Sequence, residues 1–222
     1  MKVRVAIEAA PRKAFATAVD WPGWSRSGKT EELAVEALTA YADRYAAVAT
    51  LAGETFDSSI TLDMEIAERN SGGSGTEFGV PSLVTGPDRR PTTAADAESL
   101  ARLVDAAWKT FESVAAAAPE ELRKGPRGGG RNTSKVVEHV AGADEAYARE
   151  MGVKLRAPID EIRAAMLAVL REPSDGSPLA DRKWTARYAA HRIAWHALDH
   201  AWEIEDRSEP GRLTPRPLAA PR

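Results

Sequence analysis

The sequence contains no cysteine, and this absence excludes several kinds of function at once. No disulfide, thiolate metal site or cysteine nucleophile can form within the chain. Any thiol chemistry must therefore use a thiol supplied from outside. The chain also lacks an apolar run of the ~18 residues that a membrane helix needs, and its start, MKVRVAIEAA, lacks the features of a signal peptide. We expect a cytoplasmic protein that does not enter a membrane.

An excess of charge of one sign is missing as well. The 30 basic and 33 acidic residues leave a formal net charge of -3, which gives no overall attraction to nucleic acid or to an anionic membrane. The 43% hydrophobic and 28% charged residues are typical of a globular protein, and 222 residues are enough for one large domain or two small ones. We expect a small-molecule substrate rather than nucleic acid.

The first part of the sequence predicts a small α/β domain over residues 1–84. Alternating apolar residues and turn signals divide it into short elements. The predicted elements are a strand at Val3 to Ile7, a strand at Ala14 to Val19, a polar loop at Ser25 to Gly28, a helix capped by Thr30 and running to Tyr45, a strand at Phe56 to Ala67 and a turn at Asn70 to Gly75.

The run VTGPDRRPTT has two prolines and no apolar period, so residues 85–93 are predicted to be a linker. Apolar residues recur at helical spacing from residue 94 to residue 208, which predicts a four-helix bundle. Its helices are expected to carry Leu100 to Val114, Ser134 to Met151, Pro158 to Leu170 and Asp181 to Asp206. The proline-rich residues 209–222 are expected to be extended or disordered. The predicted fold class is α+β, in two domains.

Histidine is scarce but concentrated, because three of the four histidines lie within ten residues of one predicted helix. His196 and His200 are four residues apart and so share one helix face, with Cβ atoms roughly 6 Å apart. Two such imidazoles can share a metal ion at about 2.0–2.1 Å from each nitrogen. His139, on the second helix, would complete a triad that leaves positions open for water or substrate.

The neighbouring residues receive other roles. His191 lies about 140° around the helix from His196, so we expect it to be structural. Glu203 follows His200 by three residues and is predicted to be a carboxylate behind the metal ligand, or an extra ligand; Asp199 is a less direct candidate. A helical H-x-x-x-H pair is a weak pattern by itself, and a hydrogen-bonded pair is its commoner explanation.

Residues from about 95 to 206 resemble the DinB-like (YfiT-like) superfamily of metal-binding four-helix bundles. The resemblance rests on LVDAAWKTFESVAAAAPEEL, on RGGGRNTSKVVEHVAGADEAY around His139 and on HRIAWHALDHAWEIEDR around His196 and His200. It implies zinc, nickel or another divalent ion at these three histidines, and activity as a transferase or isomerase that uses mycothiol, bacillithiol or glutathione. Trp202 replaces a glycine that is frequent in the family.

The segment VRVAIEAAPRKAFATAVDWPGWSRSGKTEELAVEAL resembles the HicB-like fold of certain antitoxins. The DNA-binding appendage of those antitoxins is absent, so the resemblance implies a role in homodimer formation or in regulating the bundle, and not DNA binding.

Residues 23–30, GWSRSGKT, also match the phosphate-loop pattern G-x-x-x-x-G-K-[ST]. A nucleotide-binding loop of this kind requires a parallel β/α sheet, and the short strands here argue against it.

The leading hypothesis is a divalent-metal-dependent enzyme that acts on a small molecule, with a low-molecular-weight thiol as co-reactant. Two alternatives from other classes stay open. One is a non-catalytic metal-binding or interaction module, and the other is an antitoxin-like regulator that would bind a toxin or RNA. The sequence offers no acid/base pair specific enough to name a reaction.

Overall fold

The computed structural model describes residues 1–58, 63–124 and 130–208, which form an α+β fold. This confirms the α+β part of the predicted fold class. A four-stranded sheet and three helices occupy the N-terminal part, and four longer helices follow. Among the helices of these ranges, none is long and apolar enough to cross a lipid bilayer.

The sheet has the strand order β3-β2-β1-β4 and contains both parallel and antiparallel pairs. Strand β1 pairs antiparallel with β2 and parallel with β4, while β2 pairs antiparallel with β3. The alternating residues Val3, Val5 and Ile7 are buried, as the period of a strand requires. The strands are β1 (Lys2–Ala10), β2 (Lys13–Ala18), β3 (Ser25–Gly28) and β4 (Asp63–Ser71).

Two strand predictions were wrong. Ser25–Gly28, expected to be a polar loop, is strand β3, because its backbone pairs with β2 and Ser25 Oγ shares a 2.7 Å hydrogen bond with Thr17 Oγ1. The last strand runs over Asp63–Ser71 and not from Phe56 to Ala67, since residues 56–58 are not in a strand. Its end at Ser71 takes in the start of the turn expected at Asn70 to Gly75. Part of the predicted strand, residues 59–62, lies outside the described residues.

The predicted helix after Thr30 is split in two. The Thr30 hydroxyl accepts a hydrogen bond from the backbone N–H of Leu33, which confirms the N-cap. The chain leaves the helical conformation at Tyr41, whose ring lies under the Arg26 guanidinium and against Trp202. Tertiary contacts therefore override the helical pattern here. The helices of this part are α1 (Glu31–Ala40), α2 (Ala42–Leu51) and α3 (Ser74–Phe78).

Four helices make up the C-terminal part, close to the predicted positions. A capping box between Thr93 and Asp96 starts the first of them. Pro158, expected to be the first residue of the third helix, directly precedes it. The first and last of the four pack closely on each other, and the second contacts both the third and the last. Residues 125–129 and 209–222, expected to be a break and a tail, lie outside the described residues. The helices are α4 (Ala94–Ala117), α5 (Thr133–Glu150), α6 (Ile159–Arg171) and α7 (Ala186–Ser208).

Residues 85–93, expected to be a linker, pack against α7. A 3-10 helix at Pro87–Arg89 buries Asp88, whose carbonyl oxygen accepts a 2.7 Å hydrogen bond from the Thr185 hydroxyl. One hydrophobic cluster contains buried residues from β1, α1, α4 and α7. The sheet and the four helices thus share a core, while the division into two domains stays a prediction.

The phosphate-loop pattern does not have the geometry of a nucleotide site. Its central residues form β3, which runs antiparallel to β2, and the loop that remains is the turn at Gly23. Gly23 has φ +91° and packs against Leu198 and Ala194 of α7. The absence of a side chain at Gly23 therefore allows this turn to pack closely against α7.

Candidate metal centre

Helices α5 and α7 bring together the three histidines that the sequence singled out. His139 lies on the second turn of α5, and His196 and His200 lie one turn apart on α7. The ring centroid of His139 is 5.1 Å from that of His196 and 5.0 Å from that of His200. The centroids of the two α7 rings are 4.8 Å apart. His139 thus faces the same site as the helical pair, which no single-helix pattern could establish.

The ring nitrogens converge on one point. The Nε2 atoms of His139 and His196 are 3.2 Å apart, and one nitrogen from each of the three rings lies within 4.8 Å of the others. Two nitrogens bound to the same tetrahedral ion at their usual bond lengths would be about 3.3 Å apart. The distance between His139 and His196 matches this spacing, while the wider limit of 4.8 Å includes His200.

Glu203 holds the third imidazole in place. Its Oε2 accepts a 2.9 Å hydrogen bond from Nδ1 of His200, and its Oε1 accepts one of 2.8 Å from Arg207. With Nδ1 as the donor, the lone pair of His200 is on Nε2, the nitrogen that is free to bind a metal. A carboxylate behind a histidine in this way is typical of metal sites, where it fixes the tautomer and the ring orientation.

Burial and mutual repulsion keep two of the imidazoles neutral. Burial, followed by the nearby His200 and Arg192, lowers the pKa of His196 to about 2. Burial and then His200 also lower the pKa of His139. A metal ion binds the neutral imidazole, so at neutral pH these two rings can offer lone pairs without first losing a proton.

The other two candidates from the sequence lie elsewhere. His191 is buried, and its Nε2–H donates to the Val19 carbonyl oxygen at 3.1 Å. The ring therefore bonds to the turn after β2 and not to the triad. Asp199 forms a 2.8 Å ion pair with Arg26 of β3. Its carboxylate therefore links α7 to the sheet and is not among the atoms that converge on the site.

Sequence reasoning missed the residues that form the wall beside the triad. The Tyr147 ring packs 5.7 Å from the His196 ring, and the Arg192 guanidinium lies 5.2 Å from the Tyr147 ring centre. Arg192 precedes His196 by four residues, so its position on the same helix face is the one signal that could have identified it.

Searches against protein-family models, curated proteins and solved structures gave no match to this chain. Fold and site alone therefore define its class: an α+β protein in which two helices direct three imidazoles to a common point.

Proposed function

We propose that His139, His196 and His200 bind one divalent transition-metal ion and that the protein uses this centre to transform a small molecule. The observation that carries the proposal is the convergence of three ring nitrogens within 4.8 Å, two of them 3.2 Å apart. Hydrogen bonding alone would account for one pair of rings. It does not account for a third imidazole that a carboxylate orients through its far nitrogen.

The ligand set favours a catalytic centre over a structural one. Structural zinc sites are closed by four protein ligands, whereas three histidines leave room for water or substrate. When bound, the metal would act as a Lewis acid and lower the pKa of a coordinated water or thiol. Imidazole ligands suit zinc and nickel, and affinity alone does not select one of them.

The thiol part of the proposal rests on two supports. The chain has no cysteine, so a thiol in the reaction must come from a small molecule. The segments around His139, His196 and His200 resemble DinB-like proteins, which include thiol-dependent transferases and isomerases. We therefore propose a low-molecular-weight thiol as co-reactant. The HicB-like role of the sheet in a homodimer is likewise a proposal, and light scattering on the purified chain tests it.

Cobalt(II) titration tests the metal site. Wild-type protein should bind one equivalent of cobalt(II) and develop the visible absorption of a cobalt ion that has few ligands. The variants His139→Ala, His196→Ala and His200→Ala should each lose most of this absorption. His191→Asn is the matched control, because this histidine lies on α7 outside the triad, and it should keep the spectrum. An unchanged spectrum in all three alanine variants would refute the site.

The thiol is tested on the same cobalt-loaded protein. Added glutathione or mycothiol should produce a sulfur-to-cobalt charge-transfer band in the near ultraviolet. A cobalt spectrum that responds to neither thiol would leave the metal site standing and overturn the thiol as co-reactant.

A further inference from the structure

The three histidines of the candidate metal centre belong to two helices, so the spacing of these helices matters. His139 is on α5, while His196 and His200 are on α7. Metal–ligand bonds tolerate errors of only about 0.2 Å, and an ion can use all three rings only when the two helices are held at a fixed distance. The contacts that fix this distance therefore act on the site even where they lie outside it.

Residues 119–123, which follow α4 and are here called the clamp, bond to the N-terminal end of α5. The Thr133 N–H donates to the Glu120 carbonyl oxygen at 3.0 Å, and the Thr133 hydroxyl donates to that of Pro119 at 2.6 Å. The Glu120 carboxylate accepts hydrogen bonds from the Ser134 N–H and hydroxyl. The first N–H groups of a helix have no partner within the helix, so the clamp supplies acceptors that α5 lacks.

The same clamp bonds to the C-terminal end of α7. The Arg123 N–H donates to the Arg207 carbonyl oxygen at 3.0 Å, and the Arg123 guanidinium donates to that of Asp206 at 2.6 Å. The last C=O groups of a helix also lack partners within it. Leu122 is only 6% exposed and packs in the hydrophobic core, which holds the clamp in position. One segment thus joins the start of α5 to the end of α7.

Arg207 connects the clamp to the histidines. Its Nε donates to the Arg123 carbonyl oxygen at 2.8 Å, and its Nη1 donates to Oε1 of Glu203 at 2.8 Å. The other carboxylate oxygen of Glu203 accepts the 2.9 Å hydrogen bond from Nδ1 of His200. A guanidinium is planar and rigid, so its two partners are held in a fixed relation to each other. A displacement of the clamp would therefore disturb the carboxylate behind His200.

Gly130 leaves room for this guanidinium. Its φ is +137°, and an added Cβ would lie 2.7 Å from Cζ of Arg207. Because the guanidinium is the far end of a flexible side chain, it would have to move away from a side chain at position 130. A substitution of Gly130 can therefore displace Arg207 without changing its chemistry.

We propose that the clamp and Arg207 hold α5 and α7 at the spacing that metal binding requires, so that metal binding and the attachment of the clamp to α7 strengthen each other. The proposal rests on the proposed function, since it concerns the same three histidines. Arg207 is a positioning residue, because it acts through Glu203 and His200. Coupling between two sites is reciprocal, so an ion that needs both helices in place must in turn slow the release of the clamp.

Cobalt(II) affinity, measured by competition with a chelator, is the first readout. Arg207→Gln should bind cobalt about tenfold less tightly and keep a stoichiometry of one, because losing an outer partner loosens a ligand without removing it. Gly130→Ala should lower the affinity as well, since it displaces the same guanidinium.

Each variant has a matched control. Arg171→Gln is the control for the arginine, because Arg171 ends α6 and pairs with Glu98 of α4, and neither helix carries a ligand. Gly53→Ala is the control for the glycine, because Gly53 also has a positive φ, +74°, but has nothing within 4 Å of the added Cβ. Both controls should bind cobalt as tightly as the wild type.

Hydrogen exchange at the backbone amide of Arg123 is the second readout. This N–H donates to the Arg207 carbonyl oxygen, so its exchange reports the release of the clamp from α7. Arg207→Gln should speed this exchange in the metal-free protein. Cobalt should slow it in the wild type, and less so in the variant, which a purely structural role of Arg207 does not predict.

The outcomes separate this proposal from the metal centre itself. Equal cobalt affinities in the wild type, Arg207→Gln and Gly130→Ala, or an Arg123 exchange rate that does not respond to cobalt, would overturn the coupling and leave the metal centre standing. A wild type that takes up no cobalt would refute the metal centre and the coupling together.

Discussion

At the scale of single residues, Glu203 is the side chain whose role can be tested most cleanly. Its hydrogen bond to Nδ1 of His200 fixes the ring without occupying the nitrogen proposed to bind the metal. We predict that Glu203→Ala lowers metal affinity by about 10–100-fold and keeps the stoichiometry. A competition titration against a chelator measures the change. Glu145→Ala, an exposed acid on α5, should have no effect, and equal affinities in the two variants would contradict the role.

Asp144 predicts a pH dependence of stability. Asp144 forms a 2.8 Å ion pair with Arg163. Burial raises the pKa of Asp144 to about 6, although the Arg163 guanidinium acts to lower it. An unfolded aspartate titrates near ~3.9, so the folded state binds this proton more tightly, and the stabilisation from the protonated form is lost as pH rises from about 4 to about 6.

The stability of wild type relative to Asp144→Asn should therefore be greater at about pH 4.5 than at about pH 7, by about 2 kcal/mol. Urea unfolding of both proteins at the two pH values measures this difference. A relative stability that stays constant, or rises with pH, would contradict the raised pKa of Asp144.

Residue-scale prediction from the sequence succeeded where helix geometry fixes the answer. His196 and His200 had to share a face because they are four residues apart. That His139 reaches them depends on how α5 packs on α7, and the sequence could only suggest it. The position of Arg192 beside the Tyr147 ring could not be predicted either, since it depends on the same packing.

At the scale of elements, α7 connects the sheet to the other helices. The turn at Gly23 approaches it so closely that an added Cβ would lie 2.8 Å from Cδ1 of Leu198 and 2.9 Å from Cβ of Ala194. The Arg26–Asp199 ion pair and the edge contact between the Phe15 and Trp195 rings, 6.0 Å apart, lie on the same side of α7.

We predict that Gly23→Ala lowers the free energy of unfolding by about 2–4 kcal/mol, the sum of left-handed strain and overpacking. Gly53→Ala is the matched control, because Gly53 also has a positive φ of +74° but has nothing within 4 Å of the added Cβ. It should cost only about 1–2 kcal/mol. Equal losses in denaturant unfolding would show that the close approach to α7 is unimportant.

Element boundaries were predicted well for α5 and α6 and poorly in the sheet. The last helix was expected to start at Asp181 but α7 starts at Ala186, because Leu179–Asp181 forms a separate 3-10 turn. The long helices have a sustained apolar period, which predicts where they lie. Strand β3 has the polar sequence SRSG, and its pairing with β2 decides its conformation. The end of α1 at Tyr41 also depends on distant partners, Arg26 and Trp202, that no local pattern contains.

At the scale of the whole molecule, the shared core explains how the candidate metal centre is held. His196 and His200 lie on α7, which packs on α4. This helix also contacts Phe15 of β2 and the turn that follows β2 at Val19. His139 comes from α5 on the opposite side of α7. The orientation of the three rings therefore depends on the packing of several elements.

The central claim is that this chain binds a metal ion through His139, His196 and His200, and metal content tests it most directly. Protein purified without a histidine tag should contain close to one equivalent of a divalent transition metal by mass spectrometry, and His196→Ala should contain almost none. No metal in the wild type, together with no uptake when zinc, nickel and cobalt are each offered to the folded protein, would contradict the account.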